Sequence, residues 1–394
     1  MTAETSPDTP SEDVDALMMM QDLSAPHAGY LKLLDQGGFA APMEGVVLVA
    51  DRAMVDHVLR HHEIFSSKIE LGLGNVRPLI PLNVDPPLHS KFRKLLDPLF
   101  SPHRMDEQEA DIRNRVNALI DGFVDRGSCD AVGEFAALLP TTIFLDFLGL
   151  PGEHLPQFMQ WENAILHPGP DGTHAGLTRE QAQAAVRDYF ADVIARRRAT
   201  PPDATAHDLL ADAMTWDLGD DDLLSFCLLM FAAGLDTVTA ELGYGMLHLA
   251  THPADRAALV ADPSIVDEVV EELMRVYPIA VPPRVVLQDT EVAGCPVERG
   301  DYVLMGLPGT GRHEGYHDDA TAVDFGRRRM PNTTFGLGPH RCVGAHLARQ
   351  ELKVAYGEWH RRIPEYRVAS GAPPVEAATL TLGLTSLPLE WDVP

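Results

Sequence analysis

The 394-residue chain has only four cysteines, and Cys129, Cys227, Cys295 and Cys342 stand far apart with no C-x-x-C pair among them. With no secretory signal at the N-terminus, that scarcity leaves no disulfide framework to expect and points to a reducing cytoplasm. Positive charge is also short: 31 Lys and Arg face 58 Asp and Glu, a formal net charge of −27. Such a chain lacks the basic face that a nucleic-acid binder turns to phosphate, and it is ill suited to an anionic membrane surface. Any acidic partner has to meet a local basic patch set against the overall field. Long apolar runs are missing too. The longest, Leu223 to Leu235, is interrupted by Ser225 and falls short of the ~18–20 residues a bilayer span needs.

What is present reads as one globular domain, mainly α with small β-sheets, over residues 26–394. It follows an acidic, Ser-, Thr- and Pro-rich tail (residues 1–25) expected to be mobile. Residues 70–88 are Gly- and Pro-rich with little charge and predict a long irregular loop of the kind that carries function. Helical periodicity runs over His89–Phe100, Asp106–Arg126, Leu177–Arg197 and Asp220–Ala250. Strand signals fall at VVLVA (46–50), 284–288, 291–293 and 302–305, and again within 380–391.

The strongest chemical signal is Phe335-Gly336-Leu337-Gly338-Pro339-His340-Arg341-Cys342-Val343-Gly344. Its glycines allow positive φ and close backbone approach to a flat group. A cysteine just ahead of a helix N-terminus is favoured as thiolate. An ordinary cysteine after a turn is the competing account of a lone residue. A dinucleotide loop fails because Arg341 occupies the third glycine position of G-x-G-x-x-G. A second signal lies inside the apolar helix 220–250, where Ala233-Gly234-Leu235-Asp236-Thr237 sets a small residue, an acid and a hydroxyl together. Gly weakens the helix there and Thr can bond a backbone carbonyl, so a notch for a small ligand and a plain helix-packing contact both fit. Glu272-x-x-Arg275 and His89-x-x-x-Arg93 are each spaced to meet across one helical turn. His313-Glu314-Gly315-Tyr316-His317 matches the zinc-protease pattern H-E-x-x-H formally. Gly315 and the flanking PGTGR and Asp318-Asp319 predict a loop there, where zinc chemistry needs a helix.

The cysteine loop resembles the haem loop F-x-x-G-x-x-x-C-x-G of the cytochrome P450 superfamily, met at Phe335, Gly338, Cys342 and Gly344. It is most similar to the soluble bacterial, camphor-hydroxylase-like branch. The resemblance implies a single-domain P450 fold, heme b (iron protoporphyrin IX) as cofactor and Cys342 as iron ligand. A thiolate in that position favours O–O cleavage. The resemblance also implies that Gly234, Gly336 and Gly344 lie against the cofactor and that Asp236 and Thr237 relay protons to dioxygen. His89, Arg93, Arg284 and His340 are its haem-propionate partners, while Glu272, Arg275 and Arg327 belong to folding. Pocket positions by the same likeness are Arg77, Leu79, Ile80, Leu229, Ala232, Ala233, Ala280, Val281, Leu380 and Thr381. They suit a terpenoid-like hydrocarbon, with Arg77 standing where camphor-hydroxylating relatives carry a tyrosine. The implied reaction is hydroxylation or epoxidation of a small hydrophobic substrate by a monomeric, cytoplasmic monooxygenase. Electrons would come from a separate 2Fe-2S ferredoxin served by a flavoprotein reductase and docked on Lys91, Lys94, Arg328, Arg329, Arg341 and Arg349. Arg52 and Arg104 are lesser docking candidates. A haem-thiolate peroxygenase, which has no need of Asp236 and Thr237, and a haem-binding sensor are the alternatives. A zinc hydrolase through His313, Glu314 and His317 is a third.

Overall fold

The computed structural model describes residues 26–69, 78–169, 171–200, 208–328, 332–378 and 381–393. The expected tail, Arg77, Arg329 and Leu380 lie outside the described residues. The architecture is mainly α with small sheets, organised as two compact units.

The first unit (up to residue 69, then 271–342 and 375–383) is built on a five-stranded sheet ordered Phe39–Met43, Val46–Val49, Tyr302–Met305, Pro283–Val286, Phe65–Ser66. The first two strands form a hairpin, and Tyr302–Met305 then runs parallel to Val46–Val49. Val47, Val49, Val303 and Met305 are buried with Val55, Val58, Leu59 and Phe65 in one apolar cluster. β-Branched residues suit such a covered sheet. Asp51 caps the helix Arg52–Arg60 by accepting the Met54 N–H at 3.0 Å, which seats the buried Val55, Val58 and Leu59 on that sheet. Ala280 bridges Thr381, and the Leu382 N–H donates to Ile279 O at 2.8 Å, so the pocket candidates Ala280, Val281 and Thr381 come together.

The second unit (residues 70–270, 343–374 and 384–394) is helical around Phe144, Phe158, Phe190 and Phe231, whose rings meet at 5.9–6.4 Å between centroids. Thr178 and Gln181 close a capping box at the start of Arg179–Ala199. The periodicity over 106–126 resolves into Pro102–Glu107, Glu109–Asp121 and a short 3₁₀ turn, Val124–Arg126, after Gly122. Asp220–Ala250 is likewise two helices, Asp220–Gly234 and Asp236–Thr251, parted at Leu235 (φ −101°, ψ −65°). The full stretch Asp220–Thr251 is long and apolar enough to cross a membrane, but most of it is buried inside the protein. Counting uninterrupted apolar residues therefore understates its reach.

Candidate active site

In the first unit the cysteine loop is a backbone-bonded turn. The Gly336 N–H donates to Thr333 O at 2.7 Å, the Arg341 N–H to Gly338 O at 3.2 Å and the Cys342 N–H to Phe335 O at 2.8 Å. Thr334 Oγ1 donates to Met274 O at 2.9 Å, and the buried Thr333 bonds Thr310, which fixes the base of the loop. Gly336 and Gly338 have φ of +67° and +69°. A Cβ on Gly338 would sit 2.4 Å from Leu59 O, whereas one on Gly336 would meet nothing within 4 Å. The loop thus packs tightly at Gly338 and faces open space at Gly336.

Cys342 is the exposed cysteine, three residues ahead of the helix Ala345–Arg362 whose N-cap is Gly344. The other cysteines sit differently. Burial pushes the Cys129 thiol up and the Cys227 thiol up to about 12, and the half-buried Cys295 is raised for the same reason. One accessible sulfur at the end of a glycine-relieved loop beside open space is the donor that a flat, thiolate-ligated iron cofactor requires. The residues fit haem.

Of the proposed propionate partners, His89 is buried on the helix Leu88–Leu96, with Arg93 one turn further on and bonded through Nε to Asp97 Oδ1 at 2.7 Å. Arg284 and His340 belong to the first unit, where Arg284 is buried and donates to Pro283 O at 2.7 Å. Glu272, Arg275 and Arg327 meet as expected for a folding device. Arg275 grips both Glu272 oxygens at 2.7 and 2.8 Å and donates to Gly311, Ala320 and Ala322 carbonyls. Arg327 Nε adds a bond to Glu272 Oε1 at 3.0 Å. Burial alone would raise the Glu272 carboxyl, but the donors from Arg275, Asp324 and Arg327 outweigh it and hold it below its ordinary value.

In the second unit Thr237 Oγ1 donates to Ala233 O at 3.2 Å, and Thr239 Oγ1 donates to Leu235 O at 3.1 Å. Ala233 and Gly234, the last two residues of the helix Asp220–Gly234, are exposed beside buried Leu229 and half-buried Ala232. Leu79 and Ile80 are buried, and Ser225 Oγ ties their segment to the same helix through Pro78 O at 2.5 Å. An apolar recess takes in Ile165, Leu166, Val186, Leu228, Phe231 and Ala232. Periodicity could mark these as core but not as a recess. Two further residues escaped sequence reasoning. His167 Nε2 lies 2.8 Å from Asp236 Oδ1, and the buried Glu162 accepts Thr141 Oγ1 at 3.3 Å. Both contacts join residues with no local pattern to announce them.

The loop expected at His313–His317 is present, and one docking candidate, Arg52, needs correction. His313, Glu314 and His317 lie in turns, not on one helix face, and His313 is held by Asp51 at 3.0 Å. Among the described residues no group of three His, Cys, Asp or Glu could hold a metal ion. Arg52 is buried against Asp56 and the Tyr316 ring, so it cannot serve a docking surface. Arg104 is engaged with Asp212 at 2.9 Å. Lys91, Lys94, Arg328 and Arg341 are exposed.

The family model "Cytochrome P450" matches residues 170–359. The chain is 34% identical to "Probable cytochrome P450 127A1" of Sinorhizobium fredii, over 84% of its own length and 78% of that protein's. It is 31% identical to "Vitamin D(3) 25-hydroxylase" of Pseudonocardia autotrophica, over 78% and 76%. The crystal structure of CYP101J2, 30% identical, superposes with a TM-score of 0.83 over 93% of each chain. The chain belongs to the cytochrome P450 family and has its fold. It is a monooxygenase that binds heme b, uses dioxygen and redox partners, and acts on hydrophobic substrates.

Proposed function

We propose that the protein hydroxylates or epoxidises a small terpenoid-like substrate in the cytoplasm, as a monomer, drawing electrons from a 2Fe-2S ferredoxin reduced by a flavoprotein. Heme b, when bound, supplies the oxygen-activating chemistry. Cys342 would supply the sulfur that holds the iron, and Phe335, Gly336 and Gly344 would shape the backbone around it. His89, Arg93, Arg284 and His340 hold the propionates, with the arginine forks suited to carboxylate. Asp236 and Thr237 hold protons at their side-chain oxygens, beside Gly234, and pass them to the point where dioxygen is reduced. Leu79, Leu229, Ala232, Ala233, Ala280, Val281 and Thr381 are the described pocket candidates, most of them aliphatic. The vitamin D(3) hydroxylase among the relatives supports a hydrocarbon skeleton. Arg77 and Leu380 complete the candidate set.

The observation that carries this reading is the exposed Cys342 at the end of a loop whose glycines take positive φ. Cys342→His should abolish product formation and the long-wavelength Soret band of the reduced carbon-monoxide complex. A variant that kept that band would show another residue on the iron. Terpenoids, norisoprenoids and aromatic acids, screened by the iron spin-state shift, identify the substrate class.

Docking of an acidic ferredoxin on a chain of net charge −27 requires concentrated cations, for which Lys91, Lys94, Arg328, Arg329, Arg341 and Arg349 are proposed. Lys94→Glu should raise the apparent ferredoxin KM and weaken its salt dependence at unchanged substrate affinity. Wild-type turnover indifferent to ionic strength speaks against the patch.

A further inference from the structure

The helix Leu155–Leu166 ends at His167, whose backbone (φ −128°, ψ 52°) has left the helix while its N–H still bonds Asn163 O. That cap aims the imidazole at Asp236, the first residue of the helix Asp236–Thr251, across 69 residues of sequence. Nε2 stands 2.8 Å from Oδ1, with side-chain exposures of 26% for His167 and 15% for Asp236. Among the described residues Oδ2 of Asp236 accepts no hydrogen bond, so the imidazole is the side chain that orients this carboxylate.

The electrostatic setting makes that grip necessary. Glu162, on the same helix as the His167 cap, is 4% exposed and faces Asp236 as a second carboxyl. The helix Leu138–Phe147 contributes the neutral Thr141 to Glu162. The helix Asp220–Gly234 carries no charged residue after Asp222, and Asp236–Thr251 adds only Glu241 in its next turns. A lone carboxylate facing another in a half-dry interior turns towards water unless a donor pins it. Here the donor is a histidine, partly open to solvent, beside the helix break at Leu235 that Asp236 follows.

We propose that His167 is the positioning residue for Asp236: by donating Nε2–H to Oδ1 it directs Oδ2 towards Thr237 and keeps the acid in its proton-handling rotamer. This rests on the assignment of Asp236 to proton transfer made above. A mere staple between two helix ends is the competing role, but the aromatic cluster of Phe144, Phe158 and Phe231 already ties Leu155–Leu166 to Leu138–Phe147 and to Asp220–Gly234, which leads into Asp236.

The test uses the haem-loaded enzyme with its electron supply and a spin-shifting substrate. His167→Ala should leave substrate affinity and thermal stability near wild type while diverting electrons to hydrogen peroxide and lowering kcat on the order of tenfold, the scale of one charge-assisted hydrogen bond. His167→Arg, which keeps a donor, should restore coupling, and His167→Gln should restore part of it. ¹⁵N-histidine NMR of the diamagnetic reduced carbon-monoxide form should show His167 fixed as the Nε2–H species in wild type and released in Asp236→Asn. Asp236→Asn should uncouple at least as strongly as His167→Ala. If Asp236→Asn couples normally, the proton-transfer assignment fails and the inference goes with it. If Asp236→Asn uncouples while His167→Ala does not, or if His167→Arg fails to rescue, the positioning role alone is wrong.

Discussion

At the scale of single residues, two glycines two positions apart show how the haem loop is specified. Gly336 and Gly338 share a left-handed backbone, φ +67° and +69°. They differ in what surrounds them: open space at Gly336, and Leu59 O at 2.4 Å from a Cβ on Gly338. Gly336→Ala therefore carries only the left-handed backbone cost of about 1–2 kcal/mol. Gly338→Ala adds a clash with main chain that cannot rotate away, so its loss should exceed that range and haem occupancy should fall. Urea melts and the haem-to-protein absorbance ratio check this, and equal losses in the two variants would remove the steric argument. The sequence pattern exposes this loop because its demands are local: φ, spacing and one sulfur all lie within ten residues. Asp236 was legible as a candidate for the same reason. Its partner His167 was not, because a 2.8 Å contact between residues 69 apart leaves no spacing to read.

At the scale of elements, periodicity located the helices and alternation located the strands, but neither could see where a helix gives way. Gly234 is free of Cβ restraint, and Thr237 and Thr239 turn their hydroxyls onto the carbonyls of Ala233 and Leu235. These bonds compete with regular helix hydrogen bonding around Leu235, and the apolar period continues straight through the break. Glu272-x-x-Arg275 shows the opposite case, in which a motif of little local meaning becomes decisive through tertiary contacts. Arg275 is 3% and Glu272 6% exposed, and Arg275 closes the carbonyls of Gly311, Ala320 and Ala322 around the segment leading to the haem loop. Removing one partner strands a buried charge, at a cost of about 3–5 kcal/mol. Arg275→Ala should therefore yield protein that expresses poorly or melts far below wild type with little haem. Glu272→Gln should be milder, since the amide oxygen still accepts one of the arginine bonds. Full stability and haem content in Arg275→Ala would contradict a folding role for the pair.

At the scale of the whole molecule, buried titratable groups set a stability profile with two limbs. Burial raises the carboxyls of Glu162 and Glu351 from 4.5 to about 8. Between those values the folded state holds protons that the unfolded state has released, so stability falls as pH rises, by up to about 1.4 kcal/mol per pH unit for each group. Burial lowers His27 from 6.5 to about 3, helped by Arg312, and lowers His360 from 6.5 to about 4. Both rings are engaged while neutral, His27 with Pro278 O and His360 with Tyr356 O and the Tyr366 hydroxyl. Below 6.5 the unfolded state takes up protons that these rings refuse, so stability falls as pH drops. The two windows overlap between 4.5 and 6.5, where the slopes oppose each other, and the most stable pH should lie in that mildly acid interval. The net charge of −27 adds self-repulsion on the alkaline side. Salt separates the two contributions, because it screens the surface field but not a buried carboxyl. Thermal melts of the haem-loaded protein from pH 4 to 9, at low and high salt, should show an alkaline decline that salt lessens without removing. Glu162→Gln with Glu351→Gln should lessen what remains, since neither amide titrates, while the buried Glu241, whose carboxyl is raised for the same reason, keeps a share of it. An alkaline decline that disappears in high salt, or one that persists unchanged in the double variant, would assign it to surface charge or to other groups.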